Sequence, residues 1–295
     1  MENIRRSFLT FYQTAVPFEI RRYIWISRQI LFSPWPYLFV VLAVILNNLA
    51  PVKRNFKNSL TAVTQDFIWF LADAVFHATL IPIYAEFLEI LYSKFIGFTI
   101  PLADTWPLGS KFMFSFLVFD FMQWLHHVIR HKVLYLWYFH TVHHSARTLT
   151  IFTDVRVHPV EFLVARTLTF IPLLMLRIDP FMIAGVGIAV QWYTRFYHAD
   201  LKTNYGFLKY FMVTPQSHRI HHSRRPEHQD KNFGVIFTLW DRLFGTLYAH
   251  YEEYPETGIT DEDFPLEKKL SPSLLTSYVR QWVYPFHKIF TGFKY

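Results

Sequence analysis

Eight of the fifteen histidines fall into three short boxes: His127 and His131 in HVIRH, His140, His143 and His144 in HTVHH, and His218, His221 and His222 in HRIHH. Members of a box stand three or four residues apart, so on a helix they share a face. Imidazole is a common ligand for iron, zinc and copper. Eight donors exceed the roughly four of a mononuclear zinc site, so the number points to two metal ions. In an HxxHH box the first and fourth positions are expected to share one helix face, leaving the fifth to reach a second ion. The Glu-x-x-His motifs of soluble carboxylate-bridged bundles are missing, and so is the HExxH of zinc proteases. The chain has no cysteine, which excludes disulfides, iron–sulfur clusters, thiolate haem and cysteine-type zinc sites.

The elements that must position these boxes are apolar and helical. The 295 residues are 52% hydrophobic and 20% aromatic, and only 17% are charged, against about 25% in average soluble domains. Residues 1–30 mix Arg with aromatics, as in FEIRRYIWISRQ, and read as an interfacial amphipathic segment. Residues 36–50 form a first spanning stretch, ended by Pro51 and the basic Lys53, Arg54 and Lys57. Residues 66–92 form a second and carry Asp66, Asp73 and His77. Ionisable residues at that depth are functional candidates, but Asp73 and His77, four apart, read here as a polar contact within the bundle. Residues 93–110, with Gly97, Pro101, Pro107 and Gly109, read as a loop or re-entrant segment. Residues 111–126 form a third helix that runs into the first box. Residues 162–193 hold two shorter apolar stretches broken at Arg177–Pro180, a hairpin that enters and returns, bringing His198 back to the side of the boxes.

The net charge of +7 fits basic loops on the cytoplasmic side of a membrane. No basic stripe for nucleic acid is visible, and the apolar run starts too late for a cleavable signal peptide. Arg130, Lys132, Arg147, Arg219, Arg224 and Arg225 flank the boxes, so the positive-inside rule turns the boxes to the cytoplasm. Three crossings before residue 127 would place the basic N-terminal tail on the opposite side, a parity conflict that composition does not resolve. The expected fold is therefore all-α: an integral-membrane, multi-pass helical bundle with a cytosolic-face histidine-box di-metal cap. Residues 1–110 hold the interfacial segment and transmembrane helices, 111–250 the histidine-box catalytic region, and 251–295 a C-terminal tail.

The flanks of the boxes extend the pattern. DFMQWLHHVIRH, LWYFHTVHHS, RVHPVE (156–161), FYHADL (196–201), TPQSHRIHHS, DKNFG and LWDRLFGTLY together resemble the fatty acid hydroxylase / sterol desaturase superfamily of integral-membrane di-iron oxygenases. The resemblance runs from about residue 110 to 250. Val128 and Asp200 depart from it, standing where Arg and Asn are more usual. It implies His198 as a ninth ligand beside the eight box histidines, and His158, with Arg156 and Glu161, as a support around the site. His126, about 100° from His127 on a helix, is left out. His228 reads as a solvated loop residue, and His77, His250 and His287 as non-ligands.

The implied cofactor is two iron ions with O₂ as co-substrate, and the implied reaction is hydroxylation or desaturation of a lipid C–H bond. Apolar walls would keep water away from the reaction. No His-Pro-Gly-Gly haem element and no GxGxxG occur, so electrons are expected from an external donor, cytochrome b5-like or ferredoxin-like, docking on the basic side. The acidic run Glu252, Glu253, Glu256, Asp261, Glu262 and Asp263 reads as a solvated loop. Two other readings compete: a histidine-rich membrane metal transporter, which would place ligands at the bilayer midplane, and a non-catalytic membrane scaffold.

Overall fold

The computed structural model describes residues 50–52, 56–101, 105–178, 180–266 and 273–291, with scattered positions between 34 and 45. The interfacial segment at 1–30, most of the stretch at 36–50, and Asp179 of the expected turn lie outside the described residues. Among the described residues the regular structure is helical, and β-pairing is limited to isolated bridges such as Met212 with Phe237.

Helix α1 spans Phe56–Phe95, 40 residues, or about 60 Å against a hydrocarbon core of about 30 Å. Phe67, Leu71, Val75, Ile83, Phe87 and Ile90 recur along it at three- and four-residue multiples and are exposed. An outward apolar stripe of that length is what a lipid-facing helix presents. Helix α2, Leu108–Lys132, starts directly after Pro107 and carries box one in its last two turns. The segments Leu60–Phe95 and Leu108–Lys132 are both long and apolar enough to cross a membrane.

The path of the chain follows from its hydrogen bonds. Near its start α1 meets the histidine-bearing end: the hydroxyls of Thr150 and Thr153 each donate to Asp66 Oδ2 at 2.7 Å, and Trp69 Nε1 donates to Gln281 Oε1 at 3.1 Å. Helix α3, Leu134–His144, holds box two, and α4, Pro159–Met175, runs away from that end beside α1, with the Tyr84 hydroxyl 2.5 Å from Thr167 Oγ1. Helix α5, Pro180–His198, returns as α2 does. At the far end the two interhelix turns meet, Ile100 N donating to Met175 O at 2.7 Å. The break expected at Arg177–Pro180 is present, and Arg177 turns the chain with φ of 53°.

This arrangement bears on the parity conflict. Lys202 N donates to Ala50 O at 2.8 Å and Val52 N to Asp200 O at 3.3 Å. Residues 50–52 therefore sit at the histidine-bearing end, because α1 leaves it and α2 comes back. Whatever crossing precedes them falls in the stretch outside the described residues.

Phe119, Leu173, Ile178, Ile183, Val186 and Val190 pack α2, α4 and α5 together beneath Val235 and Ile236. The short helix α6, Pro215–His221, carries box three and opens on a capping box in which Thr214 accepts from Ser217 N, with Pro at the first helical position where its missing N–H costs nothing. After α7, Leu239–Leu243, the chain runs to α8, Ser273–Thr291. That last segment closes over the cap: Ile259, Phe264 and Tyr284 pack with Trp69 and Val142. The acidic run read as solvated is partly engaged, Glu253 with Arg225 at 2.9 Å and Asp261 with Lys288 at 2.9 Å.

The topology has a direct check. Ser145 and Ser223 are buried, so probe cysteines belong at the exposed Arg147 and Gln229, with a third at the exposed Thr99. No native cysteine interferes. Positions 147 and 229 are expected to label with a membrane-impermeant thiol reagent from one side, and position 99 from the other. Labelling of 99 and 147 from the same side would mean that α1 and α2 do not cross.

Candidate metal centre

The structure brings all nine expected histidines together, in two groups. His127, His131, His140, His144 and His221 form one; His143, His198, His218 and His222 form the other. Within each group one nitrogen per ring lies within 4.8 Å of the others. Opposite donors around a metal with nitrogen bonds of about 2.1 Å are about 4.2 Å apart, so only a small contraction separates each group from a ligand shell. The groups adjoin, with the rings of His144 and His222 4.4 Å apart between centroids.

The division between groups corrects the expectation for HxxHH. In both boxes the first and fifth positions share a group, His140 with His144 and His218 with His222, and the fourth, His143 or His221, goes to the other. The reason is helical geometry. At about 100° per residue, position i+4 is offset by about 40° and i+3 by about 60° the other way, so the i,i+4 pair aims more nearly at one point.

Several rings are held from outside. His127 Nδ1 lies 2.9 Å from Phe233 O, His221 Nδ1 2.8 Å from Lys231 O, and His198 Nδ1 2.7 Å from Thr194 O. A carbonyl only accepts, so each of these nitrogens carries the proton and Nε2 is left with its lone pair. The Nε2 atoms of His127 and His221 are buried and have no hydrogen-bond partner, as expected of donors arranged for a cation. In the second group, His218 Nε2 lies 2.8 Å from His198 Nε2 and 3.0 Å from His222 Nε2. Burial holds His140, His143, His144, His218 and His222 well below the ordinary histidine range, with Arg130 adding to the effect at His140 and His143 and the crowding of further imidazoles at His144, His218 and His222, and it pushes His221 down to about 4. At neutral pH these imidazoles are uncharged, the form that binds metal.

Glu161, in the first turn of α4, accepts from His140 Nδ1 at 2.7 Å and from Arg130. It, rather than His158, reaches a box histidine. The fully buried His158 caps α4, its Nδ1 accepting from Val160 N while Nε2 faces Trp282 O at 3.2 Å. Arg156 ties the loop to α8 through Gln281 Oε1 at 3.3 Å. Glu161→Gln is expected to lower metal retention about ten- to a hundredfold, the usual effect of losing an outer carboxylate on a ligating histidine. Metal content after dialysis against a chelator measures it.

The motif flanks also have physical roles. Asp241 in α7 accepts from Phe233 N at 2.9 Å, Gly234 N at 2.8 Å, Trp124 Nε1 at 3.0 Å and Thr246 Oγ1 at 2.6 Å. Asp120 in α2 accepts from Ile236 N at 3.0 Å and Trp240 Nε1 at 2.9 Å. These two carboxylates fasten the 231–236 loop, whose carbonyls hold His127 and His221. Gly234 is required there, because a Cβ would lie 2.7 Å from Phe237 O and 2.9 Å from Asp241 Oδ2.

Other expectations change. His228 is fully buried against Tyr248, not solvated, because the acidic segment folds over it. Arg130 and Arg219 belong to buried or partly buried ion pairs, Arg219 with Asp200 at 2.6 Å. The exposed basic flank is therefore Lys132, Arg147, Arg224 and Arg225. Asp200, the departure from the usual Asn, joins the end of α5 to box three through that pair. Asp73 and His77 make the expected contact at 3.1 Å. His126 faces Gln123 Oε1 at 2.7 Å, and His250 and His287 belong to neither group.

Two cavities reach the groups. One of about 180 Å³, walled by α1, α2, α4 and α5, reaches His127, His140, His143, His198 and His218; another of about 320 Å³ reaches His131, His144 and His221 past Trp137.

The chain matches the fatty acid hydroxylase family over residues 112–246. An ornithine lipid hydroxylase of Rhizobium tropici is 28% identical over 145 residues, covering 49% of this chain and 44% of the relative. Alkylglycerol monooxygenases are similar too: that of Danio rerio is 33% identical over 143 residues (48% of this chain, 31% of the relative), and that of Homo sapiens 29% over 164 (55% and 35%). The chain thus aligns with less than half the length of each of these curated relatives. No solved structure matches it. All three histidine boxes, and the loop that holds them, lie inside the matched segment, and it is through this segment that the chain is similar to the fatty acid hydroxylase superfamily.

Proposed function

We propose that the protein is a membrane-bound, O₂-dependent oxidoreductase that hydroxylates a lipid at a C–H bond. The observation that carries this reading is the pair of adjoining groups of buried, uncharged imidazoles at the end of a cavity walled by both candidate spanning helices. The relatives, named as lipid hydroxylases and monooxygenases, favour hydroxylation over desaturation.

Two iron ions fit the donor set: His127, His131, His140, His144 and His221 would hold one, and His143, His198, His218 and His222 the other. Iron in all-nitrogen ligation supplies redox chemistry with O₂. The chain's own contribution is positional. Glu161 and the carbonyls of Phe233, Lys231 and Thr194 hold ring tautomers and orientations, while Phe119, Val190 and Val235 wall the cavity against water. Helices α2 and α5 bring the cavity wall and the imidazoles into one register, which limits where a bound carbon lies. Reducing equivalents come from an external cytochrome b5-like or ferredoxin-like donor. In this reading the protein is multi-pass and this face is cytoplasmic, which the exposed Lys132, Arg147, Arg224 and Arg225 support through the positive-inside rule.

Freshly purified protein is expected to carry about two transition-metal ions per chain and to form a hydroxylated lipid only with iron, O₂ and a reductant. Zinc captured during expression would occupy the same sites, because it lies above iron in the affinity order. Metal analysis with lipid mass spectrometry reads both quantities. Protein without bound transition metal overturns the reading, and metal flux into liposomes without lipid oxidation would point to a transporter.

A further inference from the structure

Helix α8 has three sides. At about 100° per residue, Leu274, Ser277, Gln281, Tyr284 and Pro285 fall on one of them and are buried. Tyr284 there packs with Trp69, Val142, Ile259 and Phe264. A second side carries Thr276, Arg280, His287 and Thr291, all exposed, and suits water. The third carries Leu275, Val279, Trp282, Val283 and Phe290, all apolar and all exposed. Their spacing confines them to an arc of about 100°. A helix bounded only by protein and water turns polar side chains outward; this one turns a polar strip and an apolar strip outward side by side.

The level of α8 along the bundle says what meets the apolar strip. The helix touches α1 at Trp69, whose ring lies 4.7 Å from that of Tyr278 and whose Nε1 donates to Gln281 Oε1. The exposed apolar stripe of α1 runs from Phe67 to Ile90. At 1.5 Å per residue that is about 35 Å, close to the hydrocarbon thickness of about 30 Å. Trp69 therefore stands within one turn of the end of the lipid-facing stripe. On the other side α8 meets the start of α4. Trp282 O accepts from His158 Nε2 at 3.2 Å, and the indole lies 4.9 Å from that imidazole. The helix thus lies across the tops of two bundle helices, where the stripe of α1 ends, and it offers there the half-exposed tryptophan that membrane interfaces favour.

We propose that α8 is an in-plane membrane helix. Its Leu275–Phe290 strip rests at the boundary of head groups and acyl chains in the leaflet on the histidine side, and Thr276, Arg280 and His287 face water. The occupant of the strip is a lipid surface, because the strip continues the lipid-facing surface of α1. Sharp separation of an apolar from a polar face is the mark of interfacial helices. The inference rests on α1 spanning the bilayer and needs neither the metal ions nor the reaction. It gives the histidine-bearing cap a footing on the membrane: through Trp282 and His158, the seated helix supports the first turn of α4, which carries Glu161 to His140.

The test uses the full chain in lipid nanodiscs, and the absence of native cysteine makes it clean. A single nitroxide label is placed on Val279→Cys, Val283→Cys, Arg280→Cys, His287→Cys, Phe87→Cys or Arg147→Cys, all exposed positions. Collision with oxygen, which partitions into lipid, is compared with collision with a water-soluble nickel chelate. The oxygen-to-nickel ratio is expected to be several-fold higher at 279 and 283 than at 280 and 287, with a depth of about 5–10 Å. Position 87 should lie deeper, and 147 should match water. Labels at 279 and 283 as open to nickel as 147 overturn the proposal. Labels there shielded from both reagents overturn it too, since a second copy or another protein then covers the strip. So do labels at 280 and 287 as deep as 87, which would make α8 a buried span. A label at 87 open to nickel overturns the spanning of α1 itself, and with it the level assigned to α8; lipid at 87 with water at 279 and 283 overturns the interfacial helix alone.

Discussion

His143→Ala is expected to lower hydroxylated lipid in expressing cells by at least about a hundredfold, beyond the ten- to hundredfold that follows loss of an outer partner of a metal ligand. His143 belongs to the smaller group, and its Nε2 lies 3.3 Å from that of His198. Removing it leaves three imidazoles and opens a void beside the cavity. Loss of comparable size is expected for His127, His131, His140, His144, His198, His218, His221 and His222. His250→Ala and His287→Ala, outside both groups, should stay near wild type. Mass spectrometry of lipids from cells carrying each variant, normalised to protein level, measures the series. Full activity in two or more variants of the nine would refute the assignment of both groups.

Asp241→Ala should have the largest effect on folding of any change outside the nine histidines. Asp241 is 1% exposed, and its substitution strands two backbone N–H groups, an indole N–H and a hydroxyl. Each buried donor left without a partner costs about 1–3 kcal/mol, against a total stability of about 5–15 kcal/mol for a typical domain. The loop released is the one whose carbonyls orient His127 and His221, so the larger histidine group should lose metal first. Thermal unfolding with metal analysis is the measurement. Asp241→Asn, which keeps one accepting oxygen, should fall between the two. An Asp241→Ala protein that melts within about 2 °C of wild type and keeps both ions would show that the loop is held by something else.

How much of this was legible in the chain follows from the range of each interaction. The boxes are local: histidines three and four residues apart declare a shared helix face, and their number alone points to two ions. The hairpin of α4 and α5 was equally readable, because Arg177–Pro180 interrupts two apolar runs, and so was the segment from about 110 to 250 that carries the family pattern. His198 was reached only through the resemblance; an isolated histidine has no partner within its own helix turn.

What the sequence by itself determined, then, is the chemistry available and the helices that carry it. Tertiary structure decided how that chemistry is divided and supported. Which histidines share a group depends on the small angular difference between i+3 and i+4, resolved only when α2, α3, α5 and α6 meet. Glu161 finds His140 across 21 residues, Phe233 O finds His127 across 106, and Gln281 receives Trp69 across 212. The basic flank looked uniform in sequence, yet burial removed Arg130 and Arg219 into ion pairs and left Lys132, Arg147, Arg224 and Arg225 exposed. Periodicity records which face of a helix is apolar, but not which distant group will lie against a given polar side chain. That partner is selected by packing, because a buried charge is stable only where the fold brings it a counter-charge, a hydrogen-bond donor or a ligand.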